Sequence, residues 1–354
     1  MGRCSSVLLL VVGVMVFPVR GQAGVRAQAA PQEEEVVRCR ACWITAFAFT
    51  PDGSEIFYAE RFSGEIRRMS LETGEDVRWA RIRGVARGGE RGVLGLALDP
   101  GWLQGSQHER VYVYFTQAEP ERNLIVRVRK GAGRVHRLTL ATVPASPVHN
   151  GGPLHFGPDG KLYAVTGDAG SPALSQRRST LAGKVLRMNQ NGSGPRTNPF
   201  RGRTYSYGHR NSFGFTWDPL TGRLWQTENG PECDDEINRI RSGRNYGWGA
   251  DSSCPRTSES GPTPIQPVLR INPIVAPTGA AFCIGCGLAP QLDGDLLVGT
   301  FSPGRILAYE LGAARKGIVG RSVVLNRNDA VLAMESAPDG SVYFSDVRGI
   351  YRLS

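Results

Sequence analysis

Short apolar runs separated by Gly, Pro, Asp and Asn fill most of the chain, and convincing helical periodicity is missing. One unit recurs: a few apolar residues, a turn built on Pro, Asp and Gly, then an alternating apolar run. It reads AFTPDGSEIFYAE at 48–60, LALDPGW followed by VYVYF within 96–115, and HFGPDGKLYAVTGD at 155–168. It returns as TWDPLTGRLWQTEN at 216–229, APQLDGDLLVGTF at 289–301 and SAPDGSVYFSD at 336–346. The turn residues suit tight reversals, and the following Val, Tyr, Leu and Phe alternation suits a half-buried strand, so each unit predicts a β-hairpin. The turns start at 51, 99, 158, 218, 292 and 338, spaced by 48, 59, 60, 74 and 46 residues. Units of about 40–50 residues suit a four-stranded propeller blade, and the longer spacings leave room for loops over one face. The prediction is an all-β chain with one six-bladed β-propeller over residues 38–354; a β-sandwich would not explain six copies of one turn.

The first 29 residues read differently. One Arg in Met1–Ser6 precedes the apolar run Val7–Phe17, and small residues near 21–29 offer cleavage sites. This is the pattern of a secretory signal peptide, and eleven apolar residues are too few to span a bilayer. Residues 30–37 then read as a polar leader, and the mature protein is expected to be secreted or periplasmic, without stable membrane insertion. Of the 7 Cys, Cys4 falls in this segment. The remaining six, Cys39, Cys42, Cys233, Cys254, Cys283 and Cys286, are an even number in an oxidising compartment, which favours disulfides. Cys233 and Cys254 bracket one loop and are expected to pair. The CxxC pairs 39/42 and 283/286 leave a Cys4 zinc site as the other reading; Trp43 and Gly287 exclude a CxxCH haem site.

Composition changes the picture little. The 354 residues carry a formal charge of +10, but of 42 basic residues only Lys130, Lys161, Lys184 and Lys316 are lysines, and the arginines are scattered. No basic run interleaved with aromatics appears, so nucleic acid is not an expected partner. The 45 Gly and 23 Pro mark a turn-rich chain short of low complexity.

Candidate chemistry sits in four polar inserts at blade ends: Gly88–Leu96, Val148–Gly152, Gly208–Gly214 and Glu228–Asn238, the last continuing to Trp248. Equivalent blade ends converge on one mouth of a propeller channel, so His149, Arg210, Glu90 and the acids Asp234–Glu236 can meet there. Together they offer a neutral base, a fixed cation and a carbonyl-rich acidic loop of the hard oxygen type that suits Ca²⁺.

At these inserts the chain resembles the glucose/sorbosone dehydrogenase family, soluble sugar dehydrogenases that use pyrroloquinoline quinone (PQQ). The matching stretches are GERGVLGLALDP, HNGGPLHFGPDGKLYAVTGD, GKVLRMNQNGS followed by NPF, YGHRNSFGFTWDP and ENGPECDDEINRIRSGRNYGWG. The resemblance implies a six-bladed propeller that oxidises an aldose or related sugar hydroxyl, with PQQ and Ca²⁺ as cofactors and an external electron acceptor. It implies His149 as general base, Arg210 as the cation beside the quinone, and Asp235 as an acid assisting His149. Glu90, Asn150 and Asn211 join His149 and Arg210 as cofactor-binding residues. The carbonyls of Gly230 and Pro231 resemble ligands of one Ca²⁺, and Glu236 and Tyr246 those of a second, structural one. The family usually carries Arg just before its last PDG turn; here Leu332–Ala337 has none, with Arg305, Arg327 and Arg348 as the nearby substitutes. Two other readings use the same mouth: a non-catalytic Ca²⁺-binding propeller for a glycan or protein, and a Ca²⁺-dependent sugar-lactonase-type hydrolase.

Overall fold

The computed structural model describes residues 31–131 and 134–354; the targeting segment expected over 1–29 lies outside the described residues. The first strand described, β1 (Glu33–Arg38), belongs to the last sheet and is taken up below. Blade one holds β2 (Ile44–Phe49), β3 (Glu55–Glu60), β4 (Glu65–Ser70) and β5 (Asp76–Arg81). Blade two holds β6 (Val93–Leu98), β7 (Arg110–Gln117), β8 (Arg122–Gly131) and β9 (Arg134–Val143). Blade three holds β10 (Gly151–Phe156), β11 (Leu162–Thr166), β12 (Lys184–Met188) and β13 (Thr204–Tyr207), with the short helix α1 (Ala173–Gln176) between its second and third strands. Blade four holds β14 (Gly214–Trp217), β15 (Leu224–Glu228), β16 (Asp235–Ile240) and β17 (Leu269–Ile271). Blade five holds β18 (Pro277–Phe282), β19 (Leu296–Thr300), β20 (Arg305–Leu311) and β21 (Ile318–Asn326). Blade six holds β22 (Ala333–Ser336), β23 (Val342–Ser345) and β24 (Gly349–Leu353). Each sheet is four-stranded and antiparallel, and the first strands of successive blades pack on one another around the ring, from β2 against β6 to β22 against β2. The chain is the expected six-bladed β-propeller.

Each of the six repeated turns joins the first strand of a blade to its second, and the reason is local. Asp52 Oδ1 accepts from the Ser54 amide at 3.1 Å while Gly53 takes φ +73°. Asp339 Oδ1 and the Ser341 amide repeat the contact at 2.9 Å, with Gly340 at φ +89°. An Asp that bonds the backbone two residues on, followed by a Gly free to turn left-handed, fixes a tight reversal.

The fourth strand of blade six is β1, which pairs antiparallel with β24 from Glu33↔Leu353 to Arg38↔Gly349. The polar leader expected over 30–37 is therefore corrected: most of it is the strand that closes the ring. Its sequence EEEVVR disguises this, because a single inward residue, Val37, enters the core, while the three glutamates lie along an exposed edge. Charged edge positions discourage pairing with other chains.

Apolar side chains fill the spaces between blades. Between blades one and two, Phe57 meets Trp79 and Trp102 edge-on, with ring centroids 5.7 and 4.7 Å apart. Cys233 pairs with Cys254, and each CxxC closes on itself, Cys39 with Cys42 and Cys283 with Cys286. The two CxxC motifs belong to different core clusters, which removes the shared zinc site. Among the described residues no helix is long and apolar enough to cross a membrane.

Candidate active site

In an antiparallel blade the residue before the first strand and the residue after the second share one end. His149 precedes β10 and Asp168 follows β11, so blade three presents both at the same end. His149 Nδ1 stands 2.8 Å from Asp168 Oδ1. Asp168 is fully buried and also accepts from the Gly170 amide at 2.7 Å and the Trp248 indole at 2.8 Å. A carboxylate that accepts from three donors keeps the imidazole proton on Nδ1, which donates to it, and leaves the Nε2 lone pair free. The His149 side chain keeps 18% of its surface exposed, so that nitrogen is accessible. The histidine backbone is held in the left-handed region, φ +56°, with its amide donating to Glu90 Oε2 at 2.6 Å.

Glu90 comes from the same end of blade two, and Asn211 from that of blade four. Asn211 Nδ2 donates to the same Glu90 oxygen at 3.0 Å, and its Oδ1 accepts from the Gly151 amide at 3.2 Å. Glu90, His149 and Asn211 are therefore one hydrogen-bonded unit. Arg210 joins it through the backbone, its carbonyl accepting from the Asp168 amide at 2.8 Å. The Arg210 guanidinium lies 5.4 Å over the Trp248 ring and donates through Nη1 to the Asn229 carbonyl at 2.9 Å. Burial pulls its pKa below the arginine norm, while Asp168, Glu228 and Glu90 push it back up. Its Nε and the Asn229 Oδ1 are buried without a hydrogen-bond partner.

Of these groups Glu90 and Asn229 line a cavity of about 400 Å³; His149 and Asn211 adjoin it through their bonds to Glu90, and Arg210 through its bond to Asn229. Its walls include Glu90, Asn229, Thr45 and Thr278 beside the apolar Trp43, Phe62, Leu94, Phe213, Phe301 and Leu332. Its one lining cation among the described residues is Arg61, which follows β3. The guanidinium sits 5.6 Å from the Trp43 ring and 4.9 Å from Phe62, and donates through Nε to Arg91 O at 2.9 Å and through Nη2 to Gly89 O at 2.7 Å. Gly92 is required here: at φ +134°, a Cβ would come within 2.5 Å of Arg61 Cγ.

Asn229 also borders a smaller cleft, lined by Arg210, Glu228, Gly230, Pro231, Asp234, Glu236, Tyr246 and Trp248. Glu236 is buried, bonded to the Ser258 hydroxyl and to Asn238 Nδ2, and burial together with Glu228 pushes its pKa up to about 7. Among the described residues no three His, Cys, Asp or Glu side chains stand at metal-holding geometry.

Asp235 and Asn150 sit elsewhere than the resemblance implied, while Tyr246 lines the cleft beside Glu236 with its hydroxyl turned to the backbone. Asp235 does not touch His149: its oxygens accept from the amides of Gly230 at 2.9 Å, Val275 at 2.6 Å and Ala276 at 2.8 Å, which braces the Gly230–Pro231 turn. Burial pushes its pKa up against those three bonds. Asn150 turns its amide away from the cavity, to Asn123, Ser146 and the Ser146 carbonyl. The Tyr246 hydroxyl donates to Arg239 O at 2.7 Å and accepts from the Arg241 amide at 2.8 Å, so its phenol is spent on the turn after β16. Of the substitute arginines, Arg327 is bonded to Asp346 at 2.7 Å and stacked on Phe344 and Tyr351, and Arg348 pairs with Asp329 at the surface. Asp168 and Arg61 are site residues that the sequence motifs do not single out, although Asp168 closes the stretch VTGD.

A histidine oriented by a buried carboxylate, a half-buried arginine and an acidic cleft around one channel mouth define a propeller with a polar small-molecule site. The chain belongs to the glucose/sorbosone dehydrogenase family, whose model matches residues 42–349. It is 32% identical over 242 residues to quinoprotein glucose dehydrogenase B of Acinetobacter calcoaceticus, covering 57% of this chain and 49% of that one, about half its length. It is 26% identical over 324 residues to the aldose sugar dehydrogenase YliI of Escherichia coli, covering 84% and 85%. The PQQ-bound form of an aldose sugar dehydrogenase from Streptomyces coelicolor superposes with TM-score 0.77 at 28% identity, covering 93% of this chain and 99% of that one.

Proposed function

We propose that the chain is an exported quinoprotein that oxidises an aldose or related sugar hydroxyl with PQQ and Ca²⁺, passing the electrons to an external acceptor. The observation that carries the reading is the His149–Asp168 pair beside a half-buried arginine with an unused donor. PQQ fits the residues present. The cavity has room for a flat tricyclic ring between apolar walls; Asn229, with its unpartnered Oδ1, stands on its wall, and the unpartnered Arg210 Nε belongs to the adjoining cleft that Asn229 also lines. Arg61 answers the missing C-terminal arginines with a cation on another wall, suited to a carboxylate. Bound there, PQQ supplies an electrophilic quinone carbonyl that accepts hydride from the sugar carbon.

The chain's own residues do the rest. His149 Nε2 takes the proton from the sugar hydroxyl, a step worth about 10²–10⁴ in rate. Asp168 holds the imidazole in the tautomer that can do so and balances the charge it acquires. The Arg210 guanidinium would supply positive charge beside the acceptor carbonyl, and Asn211, bonded to Glu90 and the Gly151 amide, fixes the unit that holds His149. For Ca²⁺ the side chains alone are insufficient, so the ion would draw on the Gly230 and Pro231 carbonyls, with Glu236 neutralised by it. Export is supported by the N-terminal sequence and by three intrachain disulfides. The test is sugar-dependent dye reduction after loading with PQQ and Ca²⁺: wild type turns over, and His149→Ala, still folded and still binding PQQ, does not. Equal turnover by His149→Ala would reject the base assignment.

A further inference from the structure

A second concavity, a groove of about 1560 Å³, opens between blades one and two. One wall is β5 and the segment after it; the other is the β8–β9 hairpin, whose strands of 10 residues each are the longest among those described. Arg81, Arg83, Arg87, Lys130, Arg134 and Arg137 line it, all exposed, and among the described residues no acidic one does. A seventh cation, Arg78, pairs with Glu65 at 3.4 Å; the other six have no ion-pair partner among the described residues. On the neighbouring β4 the ordinary arrangement holds, with Arg67 paired to Glu65 and Asp76 and Arg68 to Glu55. The groove is thus a concentrated excess of positive charge and not a mixed solvated face.

Two features say what kind of partner it fits. Apolar groups stand among the cations: the partly exposed Phe62 and Val85 and the exposed Val135 line the groove over a floor of buried Trp79 and Ile82, and Val135 and Leu138 on the hairpin are 44% and 46% exposed. Arginine mixed with aromatic and aliphatic surface is the composition of a protein–protein contact, whereas a linear polyanion needs charge alone. Moreover, Phe62 lines both the groove and the cavity beside Arg61, so a partner in the groove lies against the cavity wall.

We propose that this groove docks an acidic, one-electron redox protein that receives the electrons of sugar oxidation, an inference that rests on the dehydrogenase reading above. Conversion of one sugar hydroxyl to a carbonyl releases two electrons and two protons. Two acceptor molecules, docking in turn, are each reduced by one electron, and both protons pass to solvent.

The probe is plastocyanin, an acidic blue-copper protein, with a basic c-type cytochrome as the opposite-charge control. Binding is measured on the full chain without sugar, and reduction on the PQQ- and Ca²⁺-loaded protein with glucose, both at low ionic strength. The variant reverses three exposed groove charges: Arg83→Glu, Arg87→Glu and Arg134→Glu. The expected result is a fall of about tenfold or more in plastocyanin affinity and in its reduction rate, with reduction of a small neutral dye unchanged. Raising salt should produce the same loss in wild type. Unchanged plastocyanin binding in the variant would overturn the proposal, as would tight binding of polygalacturonate with none of plastocyanin. Failure of wild type to reduce the dye would reject sugar oxidation, and with it the redox role, whatever the binding result.

Discussion

Asp168 and Trp248, 80 residues apart in sequence, are joined by a 2.8 Å hydrogen bond from the indole Nε1 to Oδ2. The other oxygen of the same carboxylate holds His149, and the same indole ring lies beneath Arg210. One buried carboxylate therefore sets the imidazole and anchors the platform of the fixed cation. Replacing either partner disturbs both sides of the reacting centre.

Asp168→Asn should lower kcat by about a hundredfold or more, because the amide can present a donor to Nδ1 and favour the wrong tautomer. The pH–rate profile should change shape along with the rate, which a purely structural loss would not produce. Steady-state kinetics across pH on the folded variant checks this.

Asp235→Asn should behave in the opposite way. Its carboxylate accepts from three backbone amides, and an amide group cannot satisfy them all, so about 1–3 kcal/mol of stability is lost. The folded fraction should keep its pH profile. Denaturant unfolding and kinetics on one preparation separate the two effects.

Much of this was legible in the sequence, for physical reasons that also mark the failures. The six turns were readable because Asp–Gly reversals are local chemistry, as Asp52–Gly53 and Asp339–Gly340 show. The closing strand was not, because pairing of Glu33–Arg38 with Gly349–Leu353 spans the whole chain and leaves no local trace. His149 and Arg210 were found, but the acid beside His149 was misassigned. Register decides that contact: Asp168 leaves β11 at the end where His149 enters β10, and Asp235 opens β16 facing amides of the β17–β18 connection. Arg61 was missed because RFSGEI reads as an ordinary hairpin turn, and only the folded ring turns that arginine toward the cavity.

Gly92→Ala tests how Arg61 is held. The added Cβ would meet Arg61 Cγ and its carbonyl oxygen, at 2.5 and 2.8 Å. The expected cost is about 1–3 kcal/mol in stability, with a loss of PQQ affinity from the displaced guanidinium. A melt and a cofactor titration read the two consequences separately.

Calcium should raise the melting temperature by mass action, and chelation should reverse the gain. Glu236→Gln should shrink that gain, since the cleft loses an acidic oxygen that the ion would neutralise. Differential scanning fluorimetry with and without chelator checks it; an equal calcium shift in both proteins would remove Glu236 from the ion site.

His155 gives a pH signature away from the chemistry. Burial pulls its pKa from 6.5 down to about 4, and the same burial pushes up the Glu335 carboxyl that stands 3.5 Å from Nε2. The unfolded chain therefore binds the imidazole proton more tightly than the folded one, and the contribution destabilises as pH falls from about 6.5 toward 4. With Glu335→Gln in both proteins, the chain carrying His155 should lose stability relative to His155→Gln through that window and run parallel to it above pH 7. Urea unfolding of both proteins at several pH values provides the comparison.

The central claim is that this cavity holds PQQ with Arg61 as its carboxylate-binding cation. The most direct measurement is a titration of the mature protein with PQQ in the presence of Ca²⁺, following cofactor absorbance, for wild type and Arg61→Leu. Saturable binding by wild type is predicted, weakened by about 10–150-fold in the variant, the value of one lost charge-assisted contact of about 1.5–3 kcal/mol. Equal affinity in the two proteins would contradict the role of Arg61, and no binding by wild type would contradict the quinoprotein assignment itself.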